Sequence, residues 1–98
     1  HADKYHYGIV RDLCGHGVGL HFHEEPDVMH VGHKGKGMLL VPGMVFTIEP
    51  MVNMGTWKVF IDDDDPYGWE VISEDELPSA QWEHTFLMTE HGLEILTY

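Results

Sequence analysis

Basic side chains are scarce in this chain: five lysines and arginines stand against 17 aspartates and glutamates, a formal net charge of −12. That balance repels phosphate, so nucleic acid and anionic membrane are poor partners, whereas divalent cations are suited to it. It also serves plain solubility. Cysteine is nearly absent. With Cys14 alone there is no internal disulfide, which fits a reducing, cytoplasmic setting. No apolar run approaches the ~20 residues of a membrane span. No long amphipathic helical period occurs, and the polar opening His1-Ala2-Asp3-Lys4 predicts no signal peptide. There is no internal repeat and no low-complexity segment beyond the aspartates at 62–65. What is present is a 43 % apolar chain of 98 residues, enough for a single domain with one modest core.

The apolar residues fall in short alternating runs. Tyr5, Tyr7, Ile9 and Val10 favour a strand, or the tail of a helix, near the start. Residues 15–19 read as a glycine-rich turn, followed by a strand over 20–23 that Pro26 ends. Residues 30–37 carry three glycines and read as a flexible loop; Gly35-Lys36-Gly37 lacks the spacing of a phosphate cradle. A short strand over 38–41, a type II turn at Pro42-Gly43 and a strand over 44–49 follow, the last broken by Pro50 and resumed at 51–52. Two further strands, 57–61 and 69–72, flank the four aspartates. Those fail the spaced calcium-loop pattern, because Pro66 and Tyr67 occupy its third ligand and glycine positions. Residues 80–89 read as the last long strand, central because both faces carry apolar groups, and Glu90-His91-Gly92 closes it into a hairpin with 93–98. The fold class is α+β, strand-dominated, with an antiparallel sheet of about five or six strands.

Chemistry concentrates in Gly15-His16-Gly17-Val18-Gly19-Leu20-His21-Phe22-His23-Glu24-Glu25-Pro26, which packs three imidazoles and two carboxylates into a few residues. Glycine on both sides of His16 lets the backbone turn sharply and approach another strand. Imidazole is the commonest protein metal ligand and a proton carrier near neutral pH. Such a cluster fits a metal or acid–base site, and equally a glycine-rich bend leading into a solvated strand. Glu49, at the end of an apolar strand and held by Pro50, fits fixed chemistry or an ordinary strand end. Glu83, inside an apolar strand, reads as a buried carboxylate, which needs an ion pair or a metal. The shortage of lysine and arginine favours the metal.

Three separated pieces form a recognisable pattern. They are Cys14-Gly15-His16-Gly17-Val18-Gly19 with Phe22-His23-Glu24-Glu25-Pro26; Pro42-Gly43-Met44-Val45-Phe46-Thr47-Ile48-Glu49-Pro50-Met51; and Ser79-Ala80-Gln81-Trp82-Glu83-His84-Thr85. In this order they resemble the C-terminal half of a type I methionine aminopeptidase, over about Val10 to Thr97. Proline-directed peptidases and creatinases of the same pita-bread group share the first two pieces. They usually have Glu-Pro-Gly where this chain has Glu49-Pro50-Met51, and an Arg-x-Glu-Asp-Thr-like end where it has Gln81-Trp82-Glu83-His84-Thr85. The resemblance implies a curved antiparallel sheet forming half of a pita-bread fold, with residues 1–98 a partial domain. It implies that His16, Glu49 and Glu83 are metal ligands, Glu83 bridging two ions and Glu49 serving also as general base. His23 would contact the scissile peptide and stabilise the tetrahedral intermediate. Phe22 and Trp69 would line the methionine pocket, and His84 and Thr85 would support Glu83.

The cofactors implied are two divalent metal ions, of cobalt, manganese, iron or zinc, since carboxylates and imidazole suit all four. The family's other two ligands, both aspartates, lie on its N-terminal half and have no counterpart here. The chain alone is therefore expected to hold at most one ion, weakly, and to be inactive. The implied partners are peptide and nascent-protein N-termini and the missing N-terminal half. A homodimer is also expected, in which a second copy covers the apolar face. A non-catalytic peptide-binding module of the same fold and a proline-directed aminopeptidase are the alternatives.

Overall fold

The computed structural model describes all of residues 1–98. One 3-10 turn, Ala2–Tyr5, precedes ten short strands. These are β1 (Gly8–Ile9), β2 (Gly15–Gly17), β3 (Glu24–Val28), β4 (Val45–Ile48), β5 (Met51–Asn53), β6 (Val59–Ile61), β7 (Val71–Ser73), β8 (Ser79–Gln81), β9 (His84–Thr89) and β10 (Gly92–Ile95). Every pairing is antiparallel. A five-stranded sheet runs β10-β9-β4-β2-β3, a three-stranded sheet β1-β5-β8, and β6-β7 form a separate hairpin.

The two larger sheets are joined by one long antiparallel pair. Chain 45–53 runs against chain 79–87, with Ile48 opposite His84 in one sheet and Met51 opposite Gln81 in the other. The register is the same on both sides, so Glu49 counts opposite Glu83 and Pro50 opposite Trp82. The pairing lapses at those two positions. Pro50 has no N–H to give, and a ladder cannot run through it. The sequence reading of one continuous strand over 80–89 is corrected here: it is two strands, β8 and β9, in two sheets.

Other expectations are also revised. Residues 20–23 form bends, not a strand, and Pro26 lies within β3 rather than after it. β3 is an edge strand, and its register against β2 shifts between His16 and Gly17, the sort of place where a sheet tolerates proline. Residues 38–41 join no sheet. The turn after them is as read: Met44 N–H donates to the Val41 carbonyl at 3.2 Å and Gly43 takes φ +96, the left-handed position of a type II turn. Thr89 pairs directly with Gly92, so the final hairpin turns on Glu90-His91 alone.

The interior is small. Val10 and Phe46 are its buried apolar residues; Thr47, Asn53 and Ser73 are buried polar ones. The Asn53 amide is satisfied by the Thr56 carbonyl (2.8 Å) and the Ser79 hydroxyl (2.7 Å). Leu20, Phe22, Leu39, Trp69 and Trp82 are all more than 70 % exposed. The accessible surface is 7716 Å², against about 5,700 Å² for a closed monomer of this mass. The radius of gyration is 15.0 Å, against about 12.6 Å. Many large apolar side chains are therefore left exposed. No helix is long and apolar enough to cross a membrane.

The polar connection after β7 is organised by Asp75, whose carboxylate accepts N–H groups from Thr56 (2.7 Å) and Leu77 (3.2 Å). These donors, Thr56 foremost, hold the Asp75 carboxyl below the ordinary aspartate range. A carboxylate with a depressed folded pKa stabilises the fold above its unfolded pKa, and that contribution is lost as pH falls through the folded one. Asp75→Asn is therefore expected to lower Tm near neutral pH, with the gap from the parent closing as pH falls below the ordinary aspartate pKa of 3.8. Thermal unfolding of both chains across pH measures it.

Candidate metal centre

Three neighbouring strands carry the site. His16 is the middle residue of β2, with buried glycines on either side. A Cβ on Gly15 would strike the Thr47 carbonyl, and one on Gly17 the Glu25 carbonyl, so only glycine lets β2 lie this close to β4 and β3. The His16 N–H donates to Thr47 Oγ1 at 3.0 Å, and the Thr47 hydroxyl donates to Glu49 Oε1 at 2.9 Å. Thr47 and Glu49, two apart on an extended chain, share a face, and Glu83 joins it from across the gap in the ladder.

On that face the His16 Nε2 lies 3.4 Å from Glu49 Oε1 and 4.0 Å from Glu83 Oε1. One donor atom from each of the three falls within 4.8 Å of the others. His16 Nδ1 is 2.9 Å from the Gly17 carbonyl, an oxygen that can only accept, so Nδ1 carries a proton there and Nε2 is the ring atom directed at the carboxylates. These are the only contacts within 4 Å between a basic nitrogen and a carboxylate anywhere in the chain. No lysine or arginine neutralises the pair. Two carboxylates converging with no lysine or arginine between them repel one another, and a divalent ion bound by them and by His16 would relieve that repulsion.

Glu83 corrects one expectation. It was read as a buried charge, yet its side chain is 44 % exposed, because the ladder lapses there. Convergence with His16 and Glu49, not burial, makes it a candidate ligand. In Cys14, which adjoins β2, burial first, then the Asp27 charge, pushes the thiol up.

The other residues singled out in the sequence distribute unevenly. The His23 ring lies 4.3 Å from that of His16, edge-on, and Phe22 packs 4.5 Å from His23 and 5.9 Å from His16. Trp69 stands apart from these rings. It sits on the loop organised by Asp65, whose carboxylate accepts its N–H at 2.9 Å. His84 and Thr85 do not touch the Glu83 carboxylate. His84 Nε2 accepts the Trp82 indole N–H at 3.0 Å, while its Nδ1 and the Thr85 N–H both reach Thr97 Oγ1. They clamp the backbone on either side of Glu83 instead. His30 was missed. Its Nε2 accepts the Glu49 N–H at 3.0 Å, and burial pushes its pKa below the ordinary 6.5 although the Glu49 charge works against that. It lies in the glycine-rich stretch read as a loop, and no spacing in the sequence connects it with Glu49.

Strands that offer one imidazole and two carboxylates to a divalent ion, on this sheet arrangement, are the framework of a metallopeptidase, and the comparisons agree. The profile of Metallopeptidase family M24 matches residues 1–90, and the chain belongs to that family. Its relatives include Methionine aminopeptidase A of Synechocystis, 52 % identical over 99 % of this chain and 37 % of its own length. Methionine aminopeptidase 1 of Saccharomyces cerevisiae is 50 % identical over 99 % of this chain and 24 % of its own. The crystal structure of methionine aminopeptidase from Rickettsia prowazekii superposes with a TM-score of 0.92 at 43 % identity, covering 99 % of this chain and 38 % of that one. The fold is thus that of a strand-rich part of a pita-bread enzyme, and the chain spans little more than a third of the bacterial relatives it matches.

Gly15→Ala is expected to push β2 off β4, costing about 1–3 kcal/mol in urea unfolding. Because the displaced residue carries His16, affinity for cobalt(II), read by calorimetry, should fall with it.

Proposed function

We propose that this chain is the C-terminal catalytic part of a dinuclear-metal methionine aminopeptidase that removes N-terminal methionine from peptides and nascent proteins in the cytoplasm. The observation that carries the reading is the convergence of His16, Glu49 and Glu83 on one face of a sheet shared with methionine aminopeptidases. In this reading His16, Glu49 and Glu83 are the residues of this chain that would hold divalent ions. The chemistry such ions supply when bound is a lowered pKa for the attacking water and a polarised peptide carbonyl. Glu49 takes the proton of the water as general base. His23 donates a hydrogen bond to the developing oxyanion. Phe22, against the His16 and His23 rings, forms one wall of the methionine pocket; Trp69 forms another when its loop is covered by the rest of the enzyme. His84 and Thr85 fix the backbone that carries Glu83.

The remaining ligands are supplied from outside this chain, by an N-terminal half that also covers its apolar face. The 98 residues alone bind at most one ion weakly and turn over no substrate, and a second copy covers the face when nothing else does. The residues Met51 after Pro50, and Gln81-Trp82 before Glu83, favour methionine over proline specificity in the motif comparison.

The test is a chimera in which this chain replaces the matched segment of the Rickettsia prowazekii enzyme. Supplied with manganese or cobalt, it is expected to release methionine from a Met-Ala-leading peptide and to leave an Ala-Pro-leading peptide intact. Glu49→Gln should lower kcat by about 100-fold or more. Preference for the proline peptide would move the chain to the neighbouring branch, and absence of metal binding together with absence of turnover would favour a non-catalytic peptide-binding module.

A further inference from the structure

The backbone of Glu49 has a problem that the strands do not solve. Along β4, alternate residues present their N–H and C=O groups to opposite neighbours. The Val45 carbonyl accepts the Val18 N–H, so Val45, Thr47 and Glu49 face the β2 side. β2 begins only at Gly15, and its His16 already lies level with Thr47. Beyond Thr47 no strand is left to receive the Glu49 N–H. The next residue, Pro50, offers no N–H of its own.

We propose that His30 is a positioning residue for Glu49: its imidazole takes the place of the missing strand and fixes the peptide that aims this carboxylate at the metal site. β3 pairs with β2 as far as Val28 opposite Gly15, and His30, two residues on, reaches past the start of β2 to β4. Its Nε2 accepts the Glu49 N–H at 3.0 Å. That is the ring's only hydrogen bond, since its Nδ1 is buried without a partner. The ring therefore serves this one contact. The Glu49 side chain is anchored separately, at Oε1, by the Thr47 hydroxyl. Two fixed points, one on the backbone and one on the carboxylate, set the direction in which the Glu49 side chain faces His16. The inference rests on the metal-site reading above, but not on what the enzyme cleaves.

The test uses the chimera already described with three variants at one position. Gln places an amide oxygen where the His Nε2 lies; Asn is too short to reach; Leu has no acceptor. Cobalt(II) alone is the probe, followed by calorimetry and by its visible absorption, alongside the amide resonance of Glu49. His30→Leu and His30→Asn are expected to bind cobalt about 10–100-fold more weakly, as loss of a partner behind a metal ligand usually does. Both should lose the exchange protection of the Glu49 amide. His30→Gln is expected to retain affinity and protection. Where turnover is measurable, the losses fall on kcat and not on KM for peptide. Should His30→Leu fail to fold, the Gln and Asn pair decides the question. Parent-like cobalt affinity in His30→Asn or His30→Leu, or equal loss in Gln and Asn, overturns the inference. A chimera that binds cobalt in this His30-dependent way but cleaves no methionine peptide overturns the proposed function and leaves the role of His30 standing.

Discussion

The site depends on a register that survives an interruption. Chain 45–53 and chain 79–87 stay in step through two positions at which they exchange no ladder hydrogen bonds. Pro50 enforces the interruption, and the pairs on each side preserve the step. Two carboxylates of like charge are thereby held opposite one another at the one place where the sheet is open. In an unbroken strand pair the same two residues would destabilise the sheet by repulsion. Here the opening gives a cation room to enter between them.

Everything else in the site hangs on this frame. The glycines beside His16 bring a third strand within reach. Thr47 ties that strand to Glu49 through two hydrogen bonds, and the Gly17 carbonyl turns the imidazole so that its Nε2 faces inward. None of these groups is long or flexible. His16 lies within a paired strand, and Glu49 and Glu83 directly adjoin paired residues, Ile48 and His84, which hold geometry better than loops do.

Much of this was legible in the residues. The hydrogen-bonding partners of Pro50 are missing by chemistry, so a break after Glu49 could be read directly. The close approach allowed by Gly15 and Gly17 was likewise legible, because it depends on an absent Cβ. What was not legible depended on pairing across the chain. Residues 80–89 look like one strand because their alternation is unbroken, and only the partner strand, with its proline, divides them. Glu83 looked buried for the same reason. Pro26 looked like a terminator because nothing in the sequence says that β3 lies at an edge. His30 was invisible because its role is a hydrogen bond to a backbone group nineteen residues away, and backbone groups carry no residue identity. The family resemblance supplied the ligands, but their mutual distances came from the fold.

The surface in excess of a closed monomer, about 2,000 Å² by the scaling for folded chains, has a thermodynamic meaning. It is the size of a substantial protein interface, and the exposed side chains include Leu20, Phe22, Leu39, Trp69 and Trp82. Covering it removes apolar area from water, with the negative heat-capacity change that accompanies such burial. The core of this segment holds only Val10 and Phe46 as buried apolar residues, so whatever covered the exposed surface would add to the stability of the fold as well as to binding.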